Sequence, residues 1–229
     1  MINSKTASIK YSLVRSSRKT IGIVIHPDGS VVVRAPRCAT NDQIEKVVSK
    51  RMDWILKHQR NFKELGPAYS EREFVDGEKH LLLGAEYTLR IKLAPHNRVV
   101  QNDQFIDIEC KNYDYAEPLM KQWYLRKANE IIPDIIKPIV DQFREAYNKT
   151  PVKITLKNMK SRWGSCSSKG NISINTKLVK SPQHCIEFVI AHELCHLIQM
   201  NHSKSYYLLL SEFMPDWNER KKQLEHFMR

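Results

Sequence analysis

Hydrophobic and polar positions alternate with a period of two over the first part of the chain, which predicts strands. Ile9, Tyr11 and Leu13 alternate, then Ile21, Ile23 and Ile25, and Val31, Val32 and Val33 follow. His26-Pro27-Asp28-Gly29-Ser30 separates the last two runs and predicts a hairpin of strands near 20–26 and 30–35. The period then changes to that of a helix. Thr40 or Asn41 can cap a helix over about 41–63, with Ile44, Val47, Val48, Met52, Ile55 and Leu56 on its apolar stripe and Trp54 in a core or seam. Gly66-Pro67 ends it. Alternation returns from Phe74 to Cys110, clearest in Tyr87-Thr88-Leu89-Arg90-Ile91-Lys92-Leu93, and predicts a small sheet or partial barrel. From Tyr113 a helical stripe runs to about residue 148, and Pro133 and Pro138 inside it predict a kink or a break. Strands at 152–156 and 171–175 flank a polar loop, and a helix follows with Ser181 as N-cap and Pro182 at its first position. The expected fold is α+β in two parts: a β-rich region 1–112 with one helix, and a domain 113–229 in which one helix stands beside a small sheet.

That helix carries His192-Glu193-Leu194-Cys195-His196, and His202 lies six residues further on. Residues four apart share a helix face, so His192 and His196 can offer two imidazoles to one ion. Zinc suits such a set: three protein ligands leave a fourth position open for a water whose pKa falls to about 7. Glu193, one step round the helix, is placed to take that proton. The H-E-x-x-H pattern also arises by chance in unrelated helices. Here it is embedded in Ile186, Val189, Ile190, Leu194, Leu197 and Ile198, a wide buried face. The step from His196 to His202 has metzincin spacing, but Gln199 stands where those proteins have glycine, so Asn201 is the expected left-handed hinge. The rival third ligand is a carboxylate of the next helices, Glu212 or Glu219. Arg162 can act as an electrophilic or substrate-anchoring group or as plain surface charge. Tyr206 or Tyr207 can donate to an oxyanion or simply pack, and Cys166 is a further candidate metal contact. Cys195, pointing away from both histidines, packs. His26, His80 and His96 read as plain exposed histidines.

Composition narrows the setting. Five scattered cysteines without a C-x-x-C pair argue for free thiols in a reducing compartment, the cytoplasm by default. No run reaches the length of a membrane span, and no signal core follows the first basic residues. The net charge is +12, and residues 151–229 carry 12 Lys/Arg against 6 Asp/Glu. Such an excess attracts anionic substrates or nucleic acid, yet no arginine-rich tract or aromatic interleaving accompanies it, so a solvated basic surface is expected.

Taken together, Arg162-Trp163-Gly164-Ser165-Cys166, Asn175, Leu178, His192-Glu193-Leu194-Cys195-His196, Asn201-His202-Ser203 and Pro215 resemble the YgjP-like metallopeptidase family, a relative of the SprT-like zincins. The resemblance is densest over about 115–229 and weaker over the N-terminal hairpin, Arg34-Ala35-Pro36 and the helix with Trp54. It implies a minimal zincin domain with one zinc ion on His192, His196 and His202, Glu193 as base, and Tyr206-Tyr207 in place of the family's usual aromatic pair. Three readings follow: a zinc peptidase acting on peptides or proteins, a zinc-dependent nucleotide pyrophosphatase, and a non-catalytic zinc module associated with nucleic acid.

Overall fold

The computed structural model describes residues 9–26, 29–64 and 73–227. The Pro27-Asp28 part of the first turn and the Gly66-Pro67 break lie outside the described residues. The chain forms two compact units that part between Glu71 and Arg72.

In the first unit, β1 (Ser12–Ser16), β2 (Gly22–Ile25) and β3 (Val31–Pro36) form a sheet in the order β1-β3-β2, with β1 parallel and β2 antiparallel to β3. Alternation puts Val31, Val33 and Ala35 into a small core with Ile44, Val48 and Ile55. The helix expected at 41–63 is two: α1 (Asn41–Lys50) and α2 (Met52–Glu64), separated at Arg51, whose backbone leaves the helical region. Thr40 caps α1 in a capping box with Gln43. Trp54 is 41% exposed rather than in the core.

The second unit starts with β4 (Lys79–Leu82), β5 (Ala85–Leu93), β6 (Arg98–Asn102) and β7 (Phe105–Cys110), in the order β4-β5-β7-β6. This sheet belongs with the C-terminal half, which corrects the expected boundary at 112. Leu82, Leu89, Ile106 and Ile108 share one core with α3 (Ala116–Tyr147) and α4 (Gln183–Cys195). The β4–β5 turn is also bonded to the segment before α4: Leu83 N–H donates to Val179 C=O and Gly84 N–H to Lys180 C=O. Gly84, at φ 80°, lies so near Pro182 that a Cβ there would come within 2.6 Å of its Cγ. The strands were separable only on paper, because alternation reports which face is buried and not what buries it.

α3 runs unbroken through Pro133 and Pro138. Both prolines face solvent, where water can satisfy the carbonyls they leave without a donor. The opposite stripe buries Ala128, Ile132, Ile135, Ile139 and Phe143, and that burial outweighs two missing hydrogen bonds. His80 corrects another expectation: it is buried at 1% exposure, 3.0 Å from Glu78 and against the rings of Phe74 and Tyr124.

Beyond α3, β8 (Lys153–Lys157), β9 (Gly164–Cys166) and β10 (Asn171–Asn175) form a sheet with β10 in the centre, parallel to β8 and antiparallel to β9. A 3-10 turn over Thr176–Lys180 leads to α4, followed by α5 (Lys204–Phe213) and α6 (Trp217–Phe227). No described helix is long and apolar enough to cross a membrane.

Candidate active site

α4 is apolar on nearly every side, and its residues from Cys185 to Cys195 are almost all buried, so it is a central helix rather than a surface one. Ser181 does not cap it: the Ser181 hydroxyl donates to Leu178 C=O and Pro182 takes the N-cap position. His192 and Glu193 occupy the last turn, and His196 is the C-cap, still helical at φ −67° and ψ −15°. The i, i+4 pair therefore stays on one face.

The chain returns to that face without the left-handed hinge expected at Asn201. Among the described non-glycine residues, positive φ occurs at Phe74, Leu83, Asp103 and Asn148. The helix end instead tightens, with Leu197 N–H donating to Leu194 C=O and Ile198 N–H to Cys195 C=O. Ser203 then caps α5 by accepting from Tyr206 N–H at 3.4 Å, which leaves His202 just ahead of that helix.

The three imidazoles offer ligand nitrogens all within 4.8 Å of one another, the one such His/Cys/Asp/Glu group among the described residues. His202 Nε2 and His192 Nε2 are 3.1 Å apart. A tetrahedral zinc ion with Zn–N near 2.0–2.1 Å would put two ligand nitrogens about 3.3 Å apart, so the cluster fits one ion. His196 Nδ1 lies 2.9 Å from Gln199 C=O, and a carbonyl can only accept, so Nδ1 donates there and Nε2 is the nitrogen left to offer a metal. Burial, followed by the neighbouring imidazoles and Lys221, lowers the His192 pKa to about 3 and keeps the ring neutral. Glu212 is not part of the group; its carboxylate faces Tyr147 of α3. Cys166 and Glu219 are also outside it. Cys195 is fully buried, and desolvation pushes its thiol up to about 12.

Tyr206 packs against all three imidazoles. Its ring stacks on His196 at 4.7 Å and meets the edges of His192 and His202 at 5.3 and 4.8 Å. Its hydroxyl donates to His192 C=O at 3.0 Å and the residue is fully buried, which favours packing over oxyanion donation, the two alternatives the sequence leaves open. Tyr207 is 39% exposed and stacks between His202 and Trp217.

Glu193 is 5% exposed, and burial raises its pKa to about 7 against the opposing charge of Arg162. Arg162 itself is exposed, on a loop pinned by Asn175. The Asn175 amide uses its full capacity there: Nδ2 donates to Met159 C=O and Arg162 C=O, and Oδ1 accepts from Met159 and Lys177 N–H. Composition alone cannot assign such a role to an asparagine.

Gly164 was equally opaque in the sequence. A Cβ on it would lie 2.5 Å from Glu193 Oε1 and 2.7 Å from Cγ, so the carboxylate rests directly on the β9 backbone. The Gly164→Ala chain can fold, since the carboxylate can swing aside, but Glu193 is displaced. Misplacement of about 1 Å can cost ~10²-fold. We expect kcat to fall by about that factor with zinc content unchanged by elemental analysis; an undiminished kcat would show that the clearance does not matter.

β9 is an edge strand. Asn175 N–H donates to Trp163 C=O and Ser167 N–H to Asn171 C=O, so odd-numbered residues face β10. The N–H and C=O groups of Gly164 and Cys166 therefore point outward from the edge, while Glu193 packs on the sheet face at Gly164.

A family model described as YgjP-like, metallopeptidase domain, matches residues 19–227. No curated protein matches the chain. Among solved structures, the metallopeptidase zymogen abylysin of Pyrococcus abyssi aligns with 43% of this chain and 97% of its own, at 21% identity and a TM-score of 0.37. The metallopeptidase zymogen jannalysin of Methanocaldococcus jannaschii aligns with 41% and 93%, at 22% identity and a TM-score of 0.35. The family match spans both compact units and includes the histidine cluster, and on that match the chain belongs to the YgjP-like family of metallopeptidases, hydrolases that work with a metal, typically zinc.

Proposed function

We propose that this chain is a zinc-dependent peptidase, with His192, His196 and His202 holding one ion and Glu193 as the general base. When bound, zinc supplies a Lewis acid and brings the pKa of a water toward neutrality. Glu193 takes the proton of the attacking water and delivers it to the leaving amine. Its raised pKa suits both halves of that task. Arg162, whose charge reaches Glu193, anchors substrate from the loop held by Asn175.

The observation that carries the peptide reading is that β9, the strand on whose face the Glu193 carboxylate rests, is also an edge strand. An extended backbone can add to that edge through main-chain hydrogen bonds, independent of sequence. A nucleotide has no use for such an edge. The cations Arg162 and Lys221 near the site supply what a phosphoanhydride substrate would need instead. Five free cysteines support a reducing compartment such as the cytoplasm.

Incubating the zinc-loaded chain with a peptide library and a nucleotide panel tests the reading. Cleavage of peptides with nucleotides intact is expected. Cleavage of nucleotides alone moves the same site to phosphoanhydrides, and cleavage of neither leaves a binding module.

A further inference from the structure

A cleft of about 210 Å³ opens beside the catalytic pair, with His192 and Glu193 on its wall. Trp163 closes one side, Phe188 and Val189 of α4 the second, and Leu224 of α6 the third. Phe188, Val189 and Leu224 are 6%, 3% and 1% exposed, so the cleft is walled by firmly packed side chains. α6 is clamped on α4 where Arg220 meets Glu187 and His184 C=O, and where His184 bonds Gln223. The two exposed charges at the cleft, Lys221 and Glu225, lie 4.0 Å apart and offset one another.

From this geometry we infer that the cleft is a specificity pocket that takes one large apolar side chain, aromatic or long aliphatic, of the residue next to the bond being cut. The inference rests on the peptidase reading and names its substrate class. Size supports it: a cavity of about 150 Å³ lined by aliphatic and aromatic groups binds benzene, so this one has room for a phenyl ring or a leucine side chain. Its apolar walls reward no charged side chain, and the opposed Lys221 and Glu225 select neither sign. The β9 edge, running past Trp163 and Gly164, brings a paired peptide's side chains to the mouth of the cleft.

Cleavage of a randomised peptide library by the zinc-loaded full chain tests the pocket. At one position flanking the scissile bond, Phe and Leu are expected to exceed Ala by at least about tenfold in kcat/KM, within the 10–200-fold range of apolar pockets. Leu224→Phe fills the cleft and should reduce the Phe-to-Ala ratio about tenfold. Leu224→Ala enlarges it and should move the preference toward Trp. A ratio is insensitive to the fraction of protein that folds. Equal rates for all residues at both flanks, or a preference unaltered in both variants, overturns the pocket. If no peptide is cleaved, the peptidase reading fails separately. The pocket is then judged by titrating the zinc-loaded chain with N-acetyl-phenylalaninamide and N-acetyl-alaninamide. A difference of about tenfold that Leu224→Phe abolishes upholds the pocket, and equal affinities overturn it.

Discussion

Glu193→Gln is expected to lower peptide hydrolysis by about 10²- to 10⁴-fold, the range contributed by a positioned general base. Glutamine keeps the size of the side chain and its rest against Gly164, but it cannot accept the proton. The three imidazoles are untouched, so zinc stoichiometry should stay at one. Stability gives a second, opposite readout. Glu193 is nearly inaccessible to water, and burying a carboxylate is costly, so the neutral amide should leave the melting temperature equal or higher. Lost activity with undiminished stability and full zinc identifies a base. If the variant retains more than about a tenth of the wild-type rate, the proton goes elsewhere and the mechanism is wrong.

His202→Ala should weaken zinc binding by about 10²- to 10³-fold. Structural zinc in four-ligand peptides binds with about 10–16 kcal/mol, or roughly 2.5–4 kcal/mol per ligand, and each 1.4 kcal/mol is tenfold. The matched variant is Glu212→Ala, which removes the carboxylate that sequence alone left as a rival and which faces Tyr147 instead. Competition against a chromophoric chelator measures both. Zinc loss in Glu212→Ala and not in His202→Ala would reverse the assignment. Removing the metal from the wild type should also lower the melting temperature. An ion at 100 times its Kd contributes about 2.7 kcal/mol to the folded state, or about 5–11 °C for a unit of this size.

Much of the site was legible because it is local. His192, Glu193 and His196 lie within a single turn and a half of one helix, so their mutual placement follows from the rise and twist of that helix. The strands at 22–25, 31–36 and 85–93 were legible for the same reason, since alternation is a short-range signal. What escaped depended on partners distant in sequence. Gly164 matters only because a carboxylate from another element comes to rest on it. Tyr206 resolves toward packing because the end of α4 places a carbonyl where its hydroxyl can reach. The prolines of α3 predicted a break because their cost is local, whereas the buried stripe that outweighs it is not. His80 read as exposed because nothing in its neighbourhood of the chain announces the rings of Phe74 and Tyr124.

The bonds from Leu83 and Gly84 to Val179 and Lys180, at the end of the turn that leads into α4, also bear on how the molecule can be dissected. A fragment beginning at Tyr113 would retain His192, His196, His202, Glu193 and β9. It would nevertheless strip the donors from two carbonyls at the threshold of α4 and uncover the apolar flank of α3. The second compact unit, which begins at residue 72, keeps them together: its first sheet is the footing for the helix that carries the histidine cluster.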